Sequence, residues 1–155
     1  MPRLYVACIH GMYSGVRGTP GSGALLPKSR ASGFRFFDWA HTGVTAEDLI
    51  AGYREIVARA HAAGKCVVGA AVGPFRGWPE WDPAAEAVRQ EVNAFVRGGG
   101  EFDAVADFDR VLRSPYDPER MLPFLDNGDH IHPNDKGMQA MADAVDLDSL
   151  ECARR

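Results

Sequence analysis

The run Asp126-Asn127-Gly128-Asp129-His130-Ile131-His132-Pro133-Asn134-Asp135-Lys136-Gly137 is the densest stretch of proton-moving and metal-binding side chains in the chain. Asp129 and His132 stand three residues apart, on a turn that leads into a helix. That spacing lets a carboxylate accept the Nδ1 proton of the imidazole while Nε2 faces outward as a base. A metal-binding reading competes with this one. Asp129, His130, His132 and Asp135 are all ligand types, and His-x-His can chelate. No second cluster elsewhere completes such a site with the rigid support a metal centre needs, so no metal and no cofactor are assigned.

Behind the run, Met138, Met141, Ala142 and Val145 recur at i, i+3, i+4 and i+7, which predicts one apolar face of a helix. Pro133 suits its first position, where a missing N–H costs nothing.

The segment Asp129-His130-Ile131-His132-Pro133 resembles the closing Asp-x-x-His-Pro block of the SGNH/GDSL hydrolases. Asn134-Asp135-Lys136-Gly137-Met138-Gln139-Ala140-Met141-Ala142 is similar to the helix that follows it there. The resemblance runs from about Val44 to Leu147, the C-terminal two thirds. It implies an α/β fold, a flavodoxin-like three-layer sandwich with a parallel sheet, here incomplete at its N-terminus. It implies a domain over residues 44–150 preceded by a poorly matching segment, residues 1–43. It also implies that Asp129 and His132 are the last two members of a Ser-His-Asp triad acting on carboxylic esters, of small molecules or of glycans.

The family takes its nucleophile from a Gly-Asp-Ser block, and its oxyanion hole from a Gly and the Asn of a Gly-x-Asn-Asp block. This sequence contains none of the three. Ser14 in Gly11-Met12-Tyr13-Ser14-Gly15 and Ser22 in Gly21-Ser22-Gly23 are early serines flanked by glycine, and neither has that context. The expectation is a truncated hydrolase; the alternative is a degenerate, non-catalytic protein that keeps the fold.

The remaining elements must position the pair. Thr45 to Ala63 predicts a helix, with Thr45 and Asp48 as a capping box, Gly64 beyond its end, and an apolar stripe of Leu49, Ile50, Tyr53, Ile56, Val57 and Ala60. His61 near its end reads as a partner for the helix dipole. Cys66 to Val72 is apolar on both faces, as a central parallel strand is. Gly73 to Pro79 is then a loop at the strand's carboxyl end, where open α/β sheets bind ligands, and it brings Trp78 and Trp81 as pocket walls or sheet-edge cover. Asp82 caps and Pro83 opens a helix to Arg97, with Val88, Val92, Phe95 and Val96 inward. Ala104-Val105-Ala106 is a short strand ending in Asp107 and Asp109, read as braces of the following turn. The alternation is that of a parallel α/β sheet, with the Asp82–Arg97 helix crossing between neighbouring strands.

Residues 1–43 offer a strand candidate at Leu4 to Ile9. A Gly-, Ser-, Arg- and Pro-rich stretch from Ser14 to Arg35 follows, then an aromatic group of Phe34, Phe36, Phe37 and Trp39 that reads as packing against the adjoining domain. A net charge of −4 without a basic run argues against nucleic acid as a main partner. No apolar run reaches the length of a membrane helix, and Leu4 to Ile9 is too short for a signal peptide. Cys8, Cys66 and Cys152 are scattered, which suggests neither a disulfide framework nor a zinc site.

Overall fold

A computed structural model describes residues 43–148 and the backbone of a strand at residues 5–7. Strand β1 (Tyr5–Ala7) precedes helix α1 (Ala46–Ala62), strand β2 (Val67–Ala70) and helix α2 (Pro83–Gly98). Strand β3 (Ala104–Ala106), the short helix α3 (Phe108–Leu112) and helix α4 (Asp135–Asp143) complete the order. The three strands form one parallel sheet in the order β1-β2-β3. Val67 pairs with Tyr5, and Val68 with Ala104. The expected parallel neighbours β2 and β3 are therefore present, with α2 between them in the chain.

The central strand explains the layering. Val67, Val68 and Ala70 are all buried, so β2 is covered on both faces. On one face Gly69 leaves room for an aromatic ring: a Cβ there would lie 2.6 Å from Phe102. Phe102 meets the edges of Tyr53 from α1 and Phe95 from α2, at centroid distances of 5.6 and 5.8 Å. On the other face Val68, Ala70, Ala106 and Phe108 pack with Met141, Ala144 and Val145. Among the described residues, helices thus flank a small parallel sheet, an α/β arrangement short of a full three-layer sandwich.

Local chemistry fixes the helix ends. The Thr45–Asp48 capping box forms, with Asp48 N–H donating to Thr45 Oγ1 and Thr45 N–H to Asp48 Oδ2. Gly64 takes φ 65° just past α1, where a left-handed residue terminates a helix. His61 pairs with Asp103 at 2.8 Å. Asp82 accepts from Ala85 N–H, and Pro83 opens α2.

Four readings need correction. Tyr53 and Val57 of the α1 stripe are buried, but Ile56 is half exposed. The last helix begins at Asp135 rather than Pro133, because Asn134 supplies its cap and Pro133 lies outside it. Of its expected apolar face, Met141 is partly buried while Met138 and Ala142 are exposed. Cys66 is buried as expected, yet it is disulfide-bonded, which the scattered cysteines did not suggest.

The largest departure lies on α2. Val92 and Val96 are buried as predicted, but Glu86, Arg89 and Asn93 are buried beside them. Arg89, fully buried, donates to both Glu86 oxygens, to Asp109 Oδ1 at 2.6 Å and to the carbonyl of Val72 at 3.0 Å. Asn93 accepts from Val72 N–H and returns a bond to Val72 carbonyl. Polar groups this deep are tolerated because nearly every donor and acceptor is matched. Asp109 also binds Arg97 and Arg113, while Asp107 caps α3 and pairs with Arg97. The two aspartates do brace the turn, and Asp109, through Arg89, pins the backbone where β2 runs into the Gly73–Pro79 loop.

Candidate active site

Two buried anchors hold the loop that carries Asp129 and His132. Leu125 is inserted among Leu112 and Met121, and Ile131 among Val72, Phe75 and Ala85. Between them the loop is closed upon itself. Asn127 N–H donates to His132 carbonyl at 2.9 Å, and Asn134 N–H to Leu125 carbonyl at 2.8 Å. Asn134 is the hub of this closure. Its Oδ1 accepts from Lys136 and Gly137 N–H at the start of α4, and its Nδ2 donates to the carbonyls of Phe124 and Asp126. Gly137 lets α4 approach so closely that a Cβ there would lie 2.6 Å from both Leu125 carbonyl and Pro133.

Within this frame the expected contact is made. Asp129 Oδ2 lies 2.6 Å from His132 Nδ1. Asp129 Oδ1 accepts from His132 N–H at 2.8 Å and Ile131 N–H at 3.1 Å. Partial burial works against the charged carboxylate, but these donors outweigh it: the His132 N–H, the His132 ring and the Ile131 N–H together hold Asp129 down at about 2. With Nδ1 committed to Asp129, Nε2 is the nitrogen left for chemistry, on a side chain that is 63% exposed.

Trp78 stands against this imidazole, its ring 6.4 Å from that of His132 and nearly perpendicular to it. Of the two wall candidates from the β2 loop, Trp78 therefore reaches the pair. Trp81 instead lies under the Arg76 guanidinium at 5.0 Å. A depression of about 640 Å³ opens beside the loop, lined by Phe124, Asn127, Pro133, Asn134, Asp135 and Lys136, without His132 or Trp78.

His130 has a partner of its own. Its Nδ1 faces Asp126 Oδ2 at 2.8 Å, so two separate Asp–His pairs occupy one loop. Among the described residues no group of three or more His, Cys, Asp or Glu is placed to hold a metal ion. The Asp126–His130 pair was missed in the sequence, although its i, i+4 spacing was there to read. Ser114 is the one serine among the described residues, and its Oγ accepts from Tyr116 and Asp117 N–H as a turn brace. Ser14, Ser22 and the Phe34–Trp39 aromatic group lie outside the described residues. Among the described residues no helix is long and apolar enough to cross a membrane.

Residues 35–140 match the GDSL-like Lipase/Acylhydrolase family. The chain belongs to that family. The match covers the C-terminal part of the chain, begins nine residues before the Val44 expected from the motifs, and includes both Asp–His pairs. No curated protein matches the sequence. Membership establishes a relationship to hydrolases of the SGNH α/β type.

Proposed function

We propose that this chain carries the acid–base half of a serine-type ester hydrolase, with His132 as general base and Asp129 as the group that orients it. The observation that carries the reading is the Asp129 carboxylate, which takes three donors from Ile131 and His132 and fixes His132 through Nδ1. A carboxylate so held stays ionised at working pH and selects the tautomer whose Nε2 can accept a proton. Family membership supports ester hydrolysis as the reaction.

In the reaction a serine Oγ attacks the ester carbonyl while His132 Nε2 takes its proton. The same imidazolium then returns the proton to the departing alcohol, and the acyl-enzyme is hydrolysed by water activated in the same way. Asp129 stabilises the imidazolium in both steps. Ser114, the one serine among the described residues, is held in its own turn, and Ser14 and Ser22 are only weak candidates for the nucleophile. The substrate proposed is a small-molecule or glycan ester, and the working unit is residues 44–150. The alternative is a non-catalytic member that retains the pair without a nucleophile; the absence of a serine beside His132 among the described residues favours keeping it in the test.

Purified protein assayed on a short-chain p-nitrophenyl ester separates the two. Hydrolysis that disappears in His132→Ala supports the reading. Hydrolysis that is indifferent to His132→Ala refutes it, and a complete lack of turnover together with no serine labelled by a fluorophosphonate supports the non-catalytic alternative.

A further inference from the structure

His130 is the only non-glycine residue with a positive φ among the described residues, at 69°. Histidine reaches this left-handed region more readily than branched residues, but it remains uncommon there. The conformation is locked by Asp126, whose Oδ1 accepts from Gly128 and His130 N–H and whose Oδ2 faces His130 Nδ1 at 2.8 Å. Asp126 is 8% exposed at its side chain, well inside Asp129 at 35%. The most constrained residue of the loop is therefore His130, which stands in the chain between Asp129 and His132 but takes no part itself in the proposed reaction.

What the constraint achieves is visible across the gap to the β2 loop. The His130 ring lies so close to Gly77 that a Cβ there would stand 2.8 Å from Cγ and 2.9 Å from Cδ2. Gly77 itself has φ 110°, a conformation open to glycine. It belongs to a tight turn in which Trp78 N–H donates to Phe75 carbonyl at 3.0 Å, and Phe75 is buried. Arg120 Nη1 lies 3.0 Å from the same Cβ position and reaches Arg76 carbonyl at 3.4 Å, so the turn is bounded on that side too. The next residue, Trp78, meets the His132 ring.

The contacts close a circuit: Asp129 to His132, His132 to Trp78, Trp78 through Gly77 to His130, and His130 to Asp126. We infer that His130 is a positioning residue for His132, acting through Gly77 and Trp78, with Asp126 holding its imidazole in place. The inference builds on the reading of His132 as the base. An exposed imidazole with one hydrogen bond can pivot about that bond; a ring packed against it removes the pivot. Trp78 can do so only if its turn is set at the right height, and His130 against Gly77 sets it. A catalytic group displaced by an ångström can lose about 10²-fold in rate, so a pivoting base is a measurable defect.

The test reads the His132 ring directly. In NMR spectra of the full chain, the ring protons of His132 should carry a ring-current shift from Trp78, defined by its loss in Trp78→Ala. His130→Ala should remove at least half of that shift and lower kcat/KM about tenfold. His130→Asn, which tolerates the left-handed backbone and can still donate to Asp126 but lacks the ring that meets Gly77, should leave both losses in place, and full recovery of the shift in His130→Asn would show that the ring contact is not the cause. Should His130→Ala fail to fold, Gly77→Ala leaves both Asp–His pairs in sequence and should give the same loss of shift. A folded His130→Ala or Gly77→Ala protein with the wild-type His132 shifts overturns the inference. Because the spectra need no turnover, a protein that shows the coupled shifts without esterase activity would overturn the proposed function while sustaining the positioning contact.

Discussion

Asp126 holds His130 as Asp129 holds His132: one carboxylate oxygen accepts from two backbone N–H groups, of Gly128 and His130 or of Ile131 and His132, and the other faces the histidine Nδ1. The two pairs differ in their surroundings. His130 is pressed on Gly77, whereas His132 is the more exposed and has the Trp78 ring beside it. A base needs access to substrate, which is the ground for proposing His132 in that role. Asp129→Asn should therefore bring ester turnover down to that of His132→Ala, a fall of about 10²-fold or more, with KM little changed. Asp126→Asn should cost less. If Asp126→Asn proves the more damaging of the two, the base is His130 instead.

The acid range gives a second expectation. Asp129 titrates at about 2 in the folded protein, against about 3.9 for an unperturbed aspartate. Between those values the unfolded chain binds the proton and the folded one does not, so stability falls as the pH drops. The contribution from Asp129 is complete above about pH 4 and lost as the pH passes through 2. Asp107, also lowered against its burial by Arg97, acts in the same direction. Urea midpoints of wild type and Asp129→Asn should converge as the pH is lowered from 5 to 2. A constant gap across that range would contradict the assigned carboxylate.

The buried ion cluster on α2 predicts a stability effect far from the Asp129–His132 pair. Arg89→Met keeps much of the volume but leaves the Glu86 and Asp109 carboxylates buried beside an apolar chain. Removing one partner of such a cluster costs about 3–5 kcal/mol, because the remaining charges lose their compensation. Asn93→Ala should cost less, since it leaves the Val72 N–H and carbonyl without a side-chain partner but no charge stranded. Denaturant unfolding monitored by tryptophan fluorescence measures both. A change below about 1 kcal/mol for Arg89→Met would mean that the cluster is hydrated rather than sealed.

These residues also show what the sequence could and could not reveal. Caps and strands were legible because their signals are local: Thr45 with Asp48, Asp82 with Pro83, and the apolar run into β2. The Asp129–His132 contact was legible for the same reason, being three residues long. Arg89 was not, because its position on α2 looks like a charged face until Asp109, 20 residues away, folds against it. Nor was the reach of Trp78 to His132, which depends on a turn built from Phe75 to Trp78 and on a loop more than 50 residues later. On α4 the heptad-like pattern overstated burial, since Met138 lies on the side of the helix that the described sheet does not cover. The helix starts later than Pro133 suggests because the cap is Asn134, whose side chain makes four bonds that depend on the folded loop.

The last prediction concerns the rate itself. Purified as this chain, the protein should be a slow esterase. His132 and Asp129 can activate water, but among the described residues no serine faces them and Ser114 is engaged in its own turn. Loss of one oxyanion donor typically costs about 10²–10³ in turnover, and loss of a triad member costs more. The sequence shows neither the Gly-Asp-Ser nor the Gly-x-Asn-Asp block that would supply these groups. The measurement is turnover of p-nitrophenyl acetate by wild type and His132→Ala, combined with fluorophosphonate labelling and peptide mapping. Slow hydrolysis that depends on His132, with no labelled serine, is the expected result. Rapid hydrolysis lost in His132→Ala, with the label on Ser14 or Ser22, would contradict it. Residues 1–43 would then carry a nucleophile in a context unlike Gly-Asp-Ser, and the acid–base pair described here would have its third member within the same chain.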